Sequence, residues 1–69
     1  MTFMGEEGLR LRKLLEHWIE HNDDHVARFW EAAEEADKLG LKETSNSIRL
    51  AAEKGSEVSK HLKKALNSM

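Results

Sequence analysis

The sequence predicts an all-α fold, an antiparallel two-helix hairpin that dimerises into a four-helix bundle. Three observations lead there. Apolar positions step by three and four along two long segments, with no two-residue alternation anywhere. A single glycine, Gly40, divides those segments, and proline is absent. The chain has 69 residues and no cysteine. A domain of this size buries only about 60% of its unfolded surface and usually needs disulfides, a metal or a second chain to hold together.

The first helix is expected over residues 7–39, after a flexible tail of residues 1–6. Leu11, Leu15, Trp18, Asn22, His25, Phe29, Ala32, Ala36 and Leu39 form a heptad stripe, the pattern of a helix packed along a seam. Glu6 and Glu7 suit the positive N-terminal end of the helix dipole. Gly40 fits the left-handed position that ends a helix, with Leu41 as its apolar companion.

The second helix is expected over residues 42–67. Its stripe is Leu41, Thr44, Ile48, Ala51, Gly55, Val58, Leu62, Ala65 and Met69. Lys60, Lys63 and Lys64 suit the C-terminal end of the dipole. A turn of residues 40–41 makes the helices antiparallel neighbours. Positions whose numbers sum to about 81 then face each other. Trp18 meets Leu62, Asn22 meets Val58 and Ser59, and His25 meets Gly55. Gly55 sits inside a helix, where glycine costs about 1 kcal/mol relative to alanine. Room for His25 or Phe29 is the expected reason.

A second strip runs beside the stripes: Ile19, Val26 and Ala33 on the first helix, Ala52, Ser59 and Leu66 on the second. With Trp30 beside it, this strip is the expected interface to another chain, either a second copy or another helical protein. Asn22, polar within an apolar stripe, is expected to fix register and oligomeric state.

Composition narrows the function. Charged residues make up 35% of the chain, and the formal net charge is -2. No basic face invites nucleic acid. No apolar run approaches the roughly 20 residues of a membrane span, and Met1 to Gly8 lacks the pattern of a secretory signal. The expected location is cytoplasmic. There is no cysteine nucleophile and no glycine-rich phosphate loop. Glu16 and Glu20 are followed three residues on by Ile19 and Asp23, so the Glu-x-x-His pairs of di-iron bundles are missing. An enzyme is not expected.

One chemical feature stands out. An acid precedes a histidine every four residues in Glu16-His17, Glu20-His21 and Asp24-His25. Helix positions four apart lie about 5–6 Å apart at Cβ. His17 with His21, or His21 with His25, are therefore spaced to share an ion, while all three would overreach. The facing rule sets His61 opposite Glu20 and His21, so a cluster of His17, His21 and His61 is a candidate metal site. Imidazole donors with nearby carboxylates suit zinc, nickel, copper or iron. Ordinary helix surface beside one seam histidine, His25, is the competing reading.

The segment Leu15-Glu16-His17-Trp18-Ile19-Glu20-His21-Asn22-Asp23-Asp24-His25 resembles a family of small prokaryotic helical hairpins with the pattern L-x-H-W-I-E-H-N-x-x-H. The resemblance covers roughly Leu9 to Leu66. It implies a hairpin fold and an association with nickel or other transition-metal handling, and it points to His17, His21 and His25. Thr44-Ser45-Asn46-Ser47 departs from the family's pattern and puts the start of the second helix in doubt. The expected function is a small assembly module that self-associates through its apolar faces. The alternative is nickel or zinc binding and delivery by the histidine ladder with His61.

Overall fold

A computed structural model of the protein describes residues 5–69. Two helices make up the fold: α1, Gly5–Lys38, and α2, Lys42–Asn67. They pack against each other as an antiparallel hairpin 57 × 14 × 11 Å in extent. Helix α1 begins at Gly5, so Gly5 and Glu6 of the expected tail are helical. The rest of that tail, residues 1–4, lies outside the described residues. Helix α2 starts at Lys42 despite the Thr44-Ser45-Asn46-Ser47 segment. Ser45 is fully buried, so tertiary packing outweighs its weak helix propensity.

The turn follows from Gly40. Its φ is +78°, a left-handed conformation that glycine adopts without steric penalty. The Leu41 amide donates to the Ala36 carbonyl at 2.9 Å and the Gly40 amide to the Asp37 carbonyl at 3.0 Å. These two bonds define a Schellman ending and satisfy carbonyls that the helix leaves open. The Leu41 carbonyl in turn accepts from the Ser45 amide at 2.9 Å, which starts α2 at once.

The seam between the helices differs from the expected one. Leu15, Val26, Ala33 and Ala36 of α1 are buried, against Ser45, Ala52 and Ser59 of α2. Ile19, Ile48, Gly55, Leu62 and Leu66 are half-buried beside them. Val26, Ala33 and Ala52, reserved above for a second chain, are therefore the hairpin's own core, flanked by Ile19 and Leu66. Conversely Leu11, Trp18, Phe29 and Val58, expected in the seam, are at least one-third exposed.

The physical reason is closeness. Both possible seams share Leu15, Asn22, Ala36, Ile48, Gly55 and Leu62. They differ in whether the alternate positions lie three or four residues on, which rotates each helix by about half of a 100° residue step. The chosen rotation brings small residues to the contact line, so the backbones approach. Gly55 marks a close approach, since a Cβ there would stand 2.7 Å from Val26 Cγ2. Valine is stiff at χ1 in a helix and cannot swing aside. The neighbour for which Gly55 makes room is thus Val26, not His25 or Phe29.

Two consequences bear on function. By the register just described, Met69 reaches the level of residue 12, so the first turns of α1 extend past the end of α2. Leu9 and Leu11 in that extension are about half exposed. The solvent-accessible surface is 5590 Å². A compact monomer of 7.9 kDa would expose only about 4400 Å². The hairpin therefore leaves about 1200 Å² more surface uncovered than a compact protein of its mass. No helix among the described residues is long and apolar enough to cross a membrane.

Candidate functional site

The two flanks of the hairpin have different chemistry. One flank carries polar links between the helices. Asn22 is half-buried on the seam between the flanks, and its Nδ2 donates to the Gly55 carbonyl at 2.7 Å and to Ser59 Oγ at 2.8 Å. The Ser59 hydroxyl donates to the Asp23 carboxylate. Lys63 Nζ lies 3.9 Å from the other Asp23 oxygen. A chain of polar groups thus crosses from α1 to α2 beside the close approach at Gly55. A shift by one residue would separate Asn22 from both acceptors, so the bonds tie it to this register. Asp23 and Lys63 are contributors to which the sequence reading assigned no such role. The facing rule already set Ser59 opposite Asn22, which was the available signal.

Near the turn, the Arg49 guanidinium donates to the Asp37 carboxylate. The Ser45 hydroxyl and the Arg49 guanidinium beside Asp37 hold its carboxyl below its ordinary value of 3.8. Arg49 is the stronger cause, because Ser45 Oγ is buried without a partner in hydrogen-bond geometry. A carboxyl lowered in the folded state contributes stability above its unfolded value, and that contribution is lost as pH falls through the folded value. The expected result is a thermal midpoint that falls below about pH 4 more steeply in wild type than in Asp37→Asn. Melting curves from pH 7 to pH 3 check it. Equal slopes would mean that the pair is too solvated to matter.

The opposite flank is apolar, edged by the histidines. Trp18, His21, Asn22, His25, Val58 and Leu62 line a shallow groove between the helices. Spacing by four on α1 stacks the rings along its edge. The His17 and His21 ring centroids are 5.6 Å apart with planes 13° from parallel. Those of His21 and His25 are 4.7 Å apart and edge-on. His25 continues to Phe29 at 6.3 Å. All four histidines are exposed, including His25, which the stripe had put on the seam.

His61 does not join His17 and His21. Among the described residues, no three or more His, Asp or Glu side chains are placed to hold one metal ion. The rotated seam accounts for this. A turn of about 50° on each helix carries His21 and His61 away from the contact line and outward. Trp30 is 39% exposed and lies off the groove. It stands seven residues from both Asp23 and Asp37, on the stripe of the polar flank.

The fold and the site together define a small α-helical hairpin module, locked by a polar crossing on one flank and uncovered and apolar on the other. Within that class, the chain belongs to the family described as a domain of unknown function (DUF8180), whose model matches residues 11–69. The match includes all four histidines. The chain is also 40% identical over 58 residues to an uncharacterized protein of Archaeoglobus fulgidus, across 84% of this chain and 92% of that relative. No solved structure matches. Neither description states an activity, a partner or a metal.

Proposed function

We propose that the protein is a non-enzymatic helical assembly module, in which two copies pack their uncovered apolar flanks into a four-helix bundle. One observation carries this reading: the hairpin spends its small residues on its own seam and leaves large ones outside. Leu11, Trp18 and Val58 are each nearly half exposed, and Leu14 and Phe29 more than a third. On monomeric proteins, contiguous apolar patches of this extent mark interaction sites.

Area favours a second copy as the occupant. The surplus of about 1200 Å² over a compact monomer exceeds the share of about 800 Å² per partner in a standard stable interface of about 1,600 Å². A closed two-fold dimer is the commonest assembly of identical chains, and it covers the same patch on both. The formal net charge of -2 per chain leaves little repulsion to overcome.

Sedimentation equilibrium of the untagged chain tests the reading. The expected result is a dimer at micromolar concentration that dissociates on dilution, with helicity lost alongside. A folded monomer at all concentrations up to about 100 μM would sink it. Association with a different helical protein would then be the remaining use for the face.

A further inference from the structure

Along the edge of the uncovered flank, the histidines lie midway along its length. The exposed apolar residues of α1 on this side run from Leu11 to Phe29, and His17, His21 and His25 fall in the middle of that run. Ring spacing is informative here. Two imidazoles sharing one ion, with nitrogen–metal distances of about 2.0–2.1 Å, hold their ring centres roughly 5 Å apart. His21 and His25 stand at 4.7 Å. His17 and His21 are wider, at 5.6 Å, and nearly parallel, so their nitrogens converge less. His21 and His25 are both exposed and free to turn toward a common ion.

Two nitrogens fill half of a tetrahedral shell. Among the described residues, one chain supplies no third His, Asp or Glu to the group. A two-fold contact whose axis passes beside His21 and His25 would supply the rest, because residues at the axis meet their own copies. We propose that His21 and His25 form half of a divalent transition-metal site, completed by the same pair from a second copy docked on the apolar flank. This rests on the self-association reading and adds a regulator to it. Imidazole donors select borderline cations of the zinc type over magnesium or calcium. The ion would link two chains at the edge of their interface, so metal availability would set how tightly they hold.

The test uses the full chain without a histidine tag, in EDTA and with Zn²⁺, by sedimentation equilibrium and calorimetric titration. The expected result is one Zn²⁺ per two chains and a dimer dissociation constant at least tenfold lower with zinc. His21→Ala and His25→Ala should each abolish the difference between EDTA and zinc, whatever their affinity in EDTA. His17→Ala should retain it. A dimer in EDTA that zinc does not tighten overturns the metal site and leaves the self-association reading standing. So does one Zn²⁺ per chain without effect on association, or equal tightening in His21→Ala. A monomer both with and without zinc overturns the two together.

Discussion

Ala52→Leu is expected to remove most of the stability of the hairpin. Ala52 is fully buried against α1, at the level of a seam that already has no slack. One turn further on, even a single added carbon at Gly55 would stand 2.7 Å from Val26. Three added carbons at Ala52 must push the helices apart or displace a neighbour. Overpacking of this kind costs about 1–3 kcal/mol, and occasionally more. Separation would also stretch the Asn22 bonds to Gly55 and Ser59, each worth about 1 kcal/mol. A core of this size supplies only about 3–5 kcal/mol in total. Urea unfolding followed by circular dichroism should therefore show a midpoint near zero denaturant, or a chain largely unfolded at 37 °C. Ala27→Leu, on the exposed outer face of α1, is the control and should shift stability by no more than about 0.5 kcal/mol. If Ala52→Leu instead kept the wild-type midpoint and only weakened association, Ala52 would lie between chains rather than within one.

That outcome would restore the seam read from the sequence, and the reason the two readings diverge lies in particular residues. Heptad spacing made the helices and their antiparallel pairing legible, and Gly40 with Leu41 made the turn legible. Spacing left the rotation ambiguous by half a residue step, because Leu15, Asn22, Ala36, Ile48, Gly55 and Leu62 serve both seams. Hydrophobicity then favours the seam that contains Trp18 and Val58. Packing favours the one that contains Ala33, Ala52 and Ser59, since small residues let backbones approach and gain dispersion along the whole length. The discriminating signal was Gly55. The facing rule set Val26 level with it, and a mid-helix glycine marks close approach. Ser45 was hidden for a similar reason: serine reads as surface, yet here it is fully buried in the seam. The histidine ladder was legible as an i, i+4 series because it depends on α1 alone. The grouping with His61 depended on the seam rotation and failed with it.

The same rotation makes Trp18 the residue on which association should depend most. Trp18 is 45% exposed in the single hairpin and lines the groove with Val58 and Leu62. Buried tryptophans dominate interface energetics, with truncation often removing 2 kcal/mol or more. A glutamate in its place would also lose its hydration without a partner. Trp18→Glu should therefore raise the dimer dissociation constant by about 100-fold, which corresponds to about 2.7 kcal/mol. Val58→Glu, across the groove, should act in the same direction and more weakly, because valine buries less area. Trp30→Glu supplies the comparison. That side chain is 39% exposed, similar to Trp18, but it sits toward the flank where Asp23 meets Lys63 and Asp37 meets Arg49. Its replacement should leave the dissociation constant within about threefold of wild type. Analytical ultracentrifugation across a dilution series reads all three variants. In Trp18→Glu the thermal midpoint should also stop rising with protein concentration, since mass action no longer stabilises the fold. If Trp30→Glu dissociates the dimer and Trp18→Glu does not, the partner docks on the polar flank, and the large residues around the groove have some other occupant.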